Sequence, residues 1–163
     1  MKFVLDEMLG SSSRWLRMLG FDVKYFKASD NDLLKVAMNE DRILLTKDLE
    51  LFNRAKNSNL KSFLLRGDDE PERLANVSRH FNIKLEIIIS KSRCPVCNSL
   101  LKFVEKKAIS DKVFKGTLCH FDDFWICTSC GKIYWQGKHW KQINETLARA
   151  RNLQNMDEPI INL

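Results

Sequence analysis

The sequence predicts an α/β fold with a central, mostly parallel sheet, followed by a small domain of a different kind. Two observations favour the sheet. Short apolar runs alternate with segments of helical periodicity, and three of these runs each lead to an aspartate. The third observation is a pair of Cys-x-x-Cys motifs after residue 90, which marks the second domain.

The predicted elements follow one another along the first 90 residues. Apolar residues run or alternate as in strands, and apolar residues at helical spacing separate these runs. We expect the first helix to begin at a serine cap in residues 11–13 and to end at Gly20. The remaining expected elements are strands at 2–5, 21–26, 43–46 and 62–65 and helices beginning near Asn31, near Leu49 and over 71–81.

The three aspartates that follow predicted strands are Asp6, Asp30 and Asp48. Parallel strands end at one edge of a sheet, so these carboxylates are expected to meet there, where open α/β sheets bind ligands. Clustered carboxylates repel one another unless a cation compensates, and Mg²⁺ or Mn²⁺ prefers such oxygen ligands. The pattern predicts a metal site for phosphoryl chemistry. The alternative is that Asp30 and Asp48 only cap the helices that follow them.

Two Cys-x-x-Cys pairs predict a zinc ribbon. Cys94, Cys97, Cys127 and Cys130 supply the four thiolates of a tetrahedral structural zinc site, because each pair presents two sulfurs to one ion. Such a module needs its metal to fold. Cys119 is not assigned to this site, and neither His120 nor His139 is assigned a role as a ligand.

Composition narrows the class of protein. The chain has 163 residues and is 44% hydrophobic, which is enough for a packed core. No run approaches the roughly 20 apolar residues of a membrane span. Asp6 and Glu7 follow a short apolar stretch, which excludes a signal peptide. We therefore expect a cytoplasmic protein whose cysteines are reduced.

The net charge of +6 is unevenly distributed. Residues 1–90 carry 15 Lys and Arg against 14 Asp and Glu, whereas residues 91–163 carry 12 against 7. The C-terminal part is the expected contact for a nucleic-acid backbone. Trp140 and Lys138 combine an aromatic ring with a cation and are candidate RNA contacts, while Trp125 and Tyr134 are expected in the core of the ribbon.

Five motifs stand out along the chain: DEMLG at 6–10, RWLRMLG at 14–20, RILLTKD at 42–48, RCPVCN at 93–98 and YWQGKHW at 134–140. Together they resemble the PIN-fold RNase family with a C-terminal zinc ribbon. That family is known from archaeal and bacterial stand-alone proteins and from the C-terminus of a worm mutator exonuclease.

The resemblance implies a PIN-like three-layer sandwich that cleaves RNA with the help of a metal ion. It covers residues 1 to about 140, and we expect a nuclease domain at 1–90, a zinc ribbon at 91–140 and a C-terminal helix and tail at 141–163. We expect hydrolysis of RNA phosphodiester bonds, with endonucleolytic cleavage as the leading interpretation and exonucleolytic cleavage as the alternative. From its charge, the ribbon is expected to assist RNA binding. The family's acids fall on Asp6, Asp30 and Asp48.

Fuller PIN nucleases carry an additional acid on a long helix that this chain lacks. Candidate substitutes for that accessory acid are Glu7, Asp32 and Glu50. The cations near the predicted site are candidate substrate contacts or partners of the acids, namely Arg14, Arg17 and Lys47.

Two other interpretations compete with the nuclease. A response-regulator receiver also places acids after its first and third strands, but its Thr and Lys end later strands, whereas Thr46, Lys47 and Asp48 are contiguous here. The second alternative is a non-catalytic RNA- or ribosome-binding zinc-ribbon protein on a degenerate PIN scaffold. Association with ribosomal RNA and formation of a dimer both remain open.

Overall fold

Four short strands form a parallel sheet in the computed structural model, which describes residues 1–156. The strands are β1 Lys2–Leu5, β2 Asp22–Tyr25, β3 Ile43–Thr46 and β4 Ser62–Leu64. They lie in the order β2-β1-β3-β4, and each neighbouring pair is parallel. The order of strands reverses beside β1, so a topological switch point lies between β1 and β3. The prediction of a parallel sheet is confirmed.

Helices cover both faces of this sheet, which gives three layers. They are α1 Gly10–Met18, α2 Asp30–Asn39, α3 Leu49–Asn57 and α4 Glu70–Phe81. Phe3 of β1 belongs to an apolar cluster with Leu16 of α1 and Val77 of α4. Its neighbour Val4 belongs to a second cluster, with α2 and with Leu51 of α3. Because both faces are buried, the central strands β1 and β3 read as continuous apolar runs, whereas the edge strand β2 alternates.

The serine-rich stretch 11–13 does not cap the first helix. A 3₁₀ turn over Glu7–Leu9, capped by the Asp6 carboxylate, leads directly into α1. Ser12 and Ser13 are buried inside that helix. The predicted cap is therefore wrong, because the acid at the end of β1 supplies the cap one turn earlier.

The cysteine-rich region forms a small antiparallel sheet. Its elements are β5 Leu101–Val104, α5 Lys115–His120, β6 Phe124–Cys127 and β7 Ile133–Tyr134, with the strands in sequence order. Phe124 is fully buried, and its ring centroid lies 6.1 Å from that of Trp135. Phe103 meets Trp125 edge-on at 6.2 Å. Phe124 and Trp135 thus contribute to the small core of this sheet, whereas Phe103 is 53% exposed.

The C-terminal helix packs against the N-terminal sheet domain. It is α6, His139–Met156, and its Leu147 and Ala150 are buried in one cluster with Leu74 of α4 and with Leu85. Neither this helix of 18 residues nor any other in the described part of the chain is long and apolar enough to cross a membrane.

The predicted boundaries can be compared with these elements. The predicted C-terminal segment, 141–163, starts two residues after α6 begins, and its expected tail, 157–163, lies outside the described residues. The division into 1–90, 91–140 and 141–163 stays a prediction. The packing of α6 shows that the last segment completes the core of the first.

Polar contacts join the ribbon to the sheet domain. The Asn98 side chain accepts a hydrogen bond from the Val23 N–H at 2.9 Å and donates one to Asp22 Oδ1 at 2.8 Å. The Ser92 hydroxyl donates to the Met18 carbonyl at 2.5 Å. The ribbon is therefore anchored at the edge strand β2 and at the end of α1.

Candidate active edge and zinc site

Asp6 lies at the carboxyl end of β1, beside the switch point, and is only 6% exposed. Its Oδ1 accepts a hydrogen bond from the Met8 N–H at 2.9 Å. Its Oδ2 accepts one from the Thr46 hydroxyl and one from the Lys47 N–H at 3.3 Å. The donors come from the turn after β1, from the last residue of β3 and from the residue that follows it, and they fix the orientation of the carboxylate.

Thr46 connects Asp6 to Asp48. The Thr46 hydroxyl donates to Asp6 and accepts a hydrogen bond from the Asp48 N–H at 2.9 Å. Asp48 Oδ1 accepts from the N–H groups of Glu50 at 2.7 Å and Leu51 at 3.0 Å, so this acid does cap α3. Its Oδ2 forms no hydrogen bond with a described residue. One carboxylate can therefore cap the helix and still offer an oxygen to a ligand.

Asp30 occupies a different position from the one that the cap alternative predicts. The cap of α2 is Ser29, and Asp30 is the first residue of that helix. The Asp30 carboxylate pairs with the Arg54 guanidinium at 2.9 Å, and Arg54 also donates to Asn31 Oδ1 at 2.5 Å. The cap alternative is therefore wrong for Asp30, because Ser29 precedes it and accepts the Asp32 N–H.

The three acids share one edge of the sheet but do not form one compact group. Among residues 1–156, one group of three or more His, Cys, Asp or Glu side chains has its possible ligand atoms within 4.8 Å of one another. That group consists of the four cysteines and contains none of the three acids. Asp6 and Asp48 are linked through Thr46, whereas Asp30 is held by Arg54.

The three candidate accessory acids differ in their surroundings. Glu7 is exposed and directly follows Asp6 in the chain. Glu50 is also exposed and lies two residues after Asp48. Asp32 accepts a hydrogen bond from the Ser29 hydroxyl at 2.7 Å and is part of the α2 cap. Glu7 and Glu50 are the accessory candidates at the open edge.

Arg17, one of the five predicted substrate contacts, is buried. It is 6% exposed, and its Nε and one terminal nitrogen donate to the Val23 carbonyl at 3.1 and 2.8 Å. The other nitrogen donates to the carbonyls of Pro95 and Val96 at 3.0 and 3.1 Å. The prediction of a substrate contact is corrected here: the guanidinium holds the first cysteine turn against β2.

The other four predicted substrate contacts lie at two places. Lys47 is exposed beside Asp6, at the edge of the sheet. Arg14, Lys138 and Trp140 line one cavity between α1, the ribbon and the start of α6. Tyr134 lines the same cavity, which we call the ribbon cleft.

The four cysteines predicted to bind zinc converge. The sulfur atoms of Cys94 and Cys130 are 3.7 Å apart, those of Cys97 and Cys127 are 3.3 Å apart, and all four lie within 4.8 Å of one another. Disulfide sulfurs would be about 2.05 Å apart, so these are separate thiols. A tetrahedral zinc ion with Zn–S distances of about 2.3 Å places its sulfurs about 3.8 Å apart. The donor set fits zinc in number, chemistry and spacing.

Polar groups around the sulfurs support this fit. The backbone N–H of Ser99 lowers the pKa of the Cys97 thiol to about 6, which favours the thiolate. Burial raises the pKa of the Cys127 thiol to about 12, a cost that a bound cation offsets. Burial, together with the contact to Cys94, raises the pKa of Tyr134, so its hydroxyl remains a donor, 3.1 Å from the Cys94 sulfur. Such outer contacts orient metal ligands.

The residues left without a role stay outside the zinc group. Cys119 is exposed on α5 and is not among the four clustered thiols. His120 contacts the Gly116 carbonyl at 2.6 Å, and His139 is exposed at the first residue of α6.

The edge of the sheet at which Asp6, Asp30 and Asp48 lie is called the active edge below, and two residues there were given no role from the sequence. Thr46 bridges Asp6 and Asp48, and the Thr-x-Asp spacing was the signal that could have assigned it this role. Arg54 pairs with Asp30 across the gap between α3 and α2. No local pattern announces that pair, because the two residues are 24 positions apart.

Comparison with known proteins adds the family. A family model described as the Mut7-C RNAse domain matches residues 1–147, which include the sheet, the four cysteines and the first half of α6. No curated protein and no solved structure matches the chain significantly. The match agrees with the resemblance found in the sequence motifs. Because it covers residues 1–147, the chain belongs to the Mut7-C RNAse domain family.

Proposed function

We propose that this protein is a Mg²⁺- or Mn²⁺-dependent ribonuclease that hydrolyses RNA phosphodiester bonds endonucleolytically. The observation that carries the proposal is the hydrogen-bonded set of Asp6, Thr46 and Asp48 at the switch point of a parallel sheet. Membership of an RNase domain family supports the same chemistry. Catalysis is assigned to Asp6, Asp48 and Asp30 together.

The donor set at this edge fits a hard cation. Asp6 and Asp48 contribute carboxylate oxygens, and Asp48 Oδ2 has no protein partner among the described residues. Mg²⁺ commonly keeps several waters and takes one or two carboxylates together with substrate phosphate, so it does not need a closed cage of protein ligands. When bound, such an ion polarises the phosphate and lowers the pKa of a water molecule. In the proposed site Asp30 is the third ligand and exchanges its pair with Arg54 for the ion.

The neighbouring residues prepare the edge for a phosphate. Thr46 and the Lys47 N–H hold Asp6 in one orientation, so the carboxylate needs no rearrangement when a cation arrives. Lys47 is exposed, and its backbone N–H contacts Asp6, so its side chain can attract the RNA backbone at this edge. Arg54 neutralises Asp30 until an ion binds, and the exposed Glu7 and Glu50 are the candidates to orient water.

An endonucleolytic mode agrees with the openness of the edge. Lys47, Asp48, Leu49 and Glu50 are all exposed. A strand can therefore lie across the turn that carries Asp48 without one of its ends entering a closed pocket.

The proposed zinc ion has a structural role, because four thiolates leave no open coordination position for substrate. It holds the turns of Cys94 and Cys127 in place, and the ribbon then presents Lys138 and Trp140 to RNA. The ribbon thus assists RNA binding.

A second function is favoured by one observation. Arg54 pairs with Asp30, and the three acids do not converge as a compact group in the described part of the chain. A protein that has lost catalysis and retains RNA or ribosome binding through the ribbon would show this arrangement.

Circular RNA separates these functions. We expect the zinc-loaded full chain to open a labelled circular RNA when Mn²⁺ is added, since a circle has no end for an exonuclease. The Asp6→Asn variant serves as the control and should leave the circle intact. RNA binding without cleavage in either metal would favour the second function, and cleavage of linear RNA alone would contradict the endonucleolytic mode.

A further inference from the structure

The ribbon cleft is a large concave site away from the three acids. Its volume is about 980 Å³, at the upper end of the roughly 300–1,000 Å³ of small-molecule sites. Its walls come from α1, from the chain that leads into the ribbon, and from the segment between β7 and α6. No part of the zinc site or the active edge accounts for a cavity of this size.

Aromatic side chains form one wall of the cleft. Trp135 is held in place by Phe124 and by Gly137, where a Cβ atom would lie 2.7 Å from the indole nitrogen. Trp140 is half-buried, and its indole makes no ring contact or hydrogen bond with another described residue. Stacking of bases on aromatic rings is the general mode by which proteins hold single strands. Trp140 therefore offers a ring face to a base.

The charges around the cleft all have one sign. Among residues 1–156, those that line the cleft include the cations Arg14, Arg93 and Lys138, together with two histidines, and no Asp or Glu. Arg14 and Lys138 are exposed and form no ion pair within the described part of the chain. The positive end of the α6 dipole begins at the same wall. The cleft therefore suits a ligand that combines flat apolar groups with negative charge.

The helix α1 connects this cleft to the active edge. It starts at Gly10, directly after the turn that Asp6 caps, and Arg14 lies four residues further on, about 6 Å along the helix axis. We propose that the ribbon cleft binds unpaired bases of single-stranded RNA and that Arg14 leads the backbone of this strand towards Asp6. This inference rests on the proposed ribonuclease function. It adds that the substrate class is single-stranded RNA.

A duplex would not use the features of the cleft. Bases in a helix are stacked on each other, so duplex RNA is recognised mainly through its backbone and its shallow groove. Concave aromatic walls such as those of Trp135 and Trp140 are reached by bases that are splayed out of a strand. The apolar half of the cleft would stay empty against a duplex.

Equilibrium binding of a labelled oligouridine of 12 nucleotides tests the proposal. The experiment uses the zinc-loaded full chain with Asp6→Asn and no added divalent metal, so that cleavage does not interfere. Trp140→Ala should weaken binding between about 5-fold and 150-fold, as expected for one lost stacking contact, while Trp140→Phe keeps most of the affinity. Phe114→Ala is the matched control, because Phe114 is 88% exposed in the same ribbon and does not line the cleft.

A second variant allows the proposal to be tested even if Trp140→Ala does not fold. Arg14→Gln changes an exposed side chain on α1 and should also weaken oligouridine binding. In a separate measurement, a blunt RNA duplex of equal length should bind the parent protein more weakly than the single strand does. Undiminished affinity in both Trp140→Ala and Arg14→Gln, or a preference for the duplex, would overturn the proposal. Binding at the cleft by a protein that cleaves no RNA would refute the ribonuclease function alone, so the two failures are distinguishable.

Discussion

Single side chains hold the ribbon against the sheet. Asp22 accepts hydrogen bonds from Arg42 and from Asn98, both at 2.8 Å, at the start of β2. Arg17 of α1 also joins the ribbon to the sheet, because it donates hydrogen bonds to carbonyls of β2 and of the first cysteine turn. These roles could not be predicted from the sequence, where Arg17 looked like a phosphate contact, because burial depends on which segment packs over the helix.

Stability should depend on pH through Asp22. Burial opposes its ionisation, but the hydrogen bonds from Arg42 and Asn98 outweigh burial and lower the pKa of its carboxyl. A lowered pKa in the folded state gives stability that is present above the unfolded value of about 3.9 and is lost as pH falls through the folded value. Asp22→Asn should therefore lower the urea midpoint at neutral pH, and its difference from the wild type should vanish in acid.

The control for this measurement is Glu145→Gln, which removes an exposed acid that lies 3.9 Å from Lys141. Exposed pairs contribute little, so its midpoint should follow the wild type at all pH values. A difference between Asp22→Asn and the wild type that persists unchanged below pH 3 would contradict the role given to the charge.

Replacing Arg17 should destabilise the fold without touching the active edge. Arg17→Met leaves the carbonyls of Val23, Pro95 and Val96 without their buried donor, and we expect a loss of about 2–4 kcal/mol in the free energy of unfolding. Arg14→Met, about one turn earlier on α1 at an exposed position, should change it by less than about 0.5 kcal/mol. Urea denaturation compares the two, and equal small effects would contradict the structural role of Arg17.

At the scale of elements, the sequence patterns located the strands well and the contacts between elements poorly. The buried runs around Leu44 and Val4 have few alternatives to a strand, and the structure has strands there. The start of α1 was misplaced, because a buried acid outside the helix caps the turn before it. The apolar face of α6 was visible at Leu147 and Ala150, but periodicity does not tell which surface such a face covers.

The zinc ribbon should depend on four cysteines and not on the fifth. Cys94→Ser removes one of the clustered thiols and should release zinc and disorder the ribbon, because metal binding supplies the folding energy of such modules. Oligouridine affinity should fall with it, since Cys94 holds Tyr134 at the wall of the cleft. Cys119→Ser is the control and should keep one zinc per chain by elemental analysis. Equal loss of zinc in both variants would refute the assignment.

At the scale of the whole molecule, the parts do not separate cleanly. A fragment that ends at Ser90 would lack α6 and expose Leu74 and Leu85, which α6 covers. The contribution of the ribbon to RNA binding is therefore better measured with point variants in the full chain. Residues 91–163 carry most of the net charge of +6, so they should dominate the attraction to RNA.

RNA affinity should fall steeply with salt. If the protein neutralises about four phosphates of a single strand, the slope of log affinity against log salt should be about −3, from counterion release. Lys138→Gln should reduce the magnitude of this slope by about 0.7, whereas Lys102→Gln, an exposed cation outside the cleft, should leave it unchanged. A slope near zero in the wild type would contradict backbone contacts as the source of affinity.

The central claim is that the acids at the switch point hold a catalytic metal, and Asp48→Asn tests it most directly. Asparagine keeps the oxygen that caps α3 but removes the charge, so the fold should survive. Asp69→Asn is the control, since Asp69 caps α4 beyond the outer strand β4 and, unlike Asp48, gives its second oxygen to Arg149 at 2.7 Å. The measurement is the single-turnover rate of Mn²⁺-dependent RNA cleavage, with folding matched by circular dichroism. We expect Asp48→Asn to lose about 100-fold or more and Asp69→Asn to keep its rate; a wild-type rate in Asp48→Asn would contradict the claim.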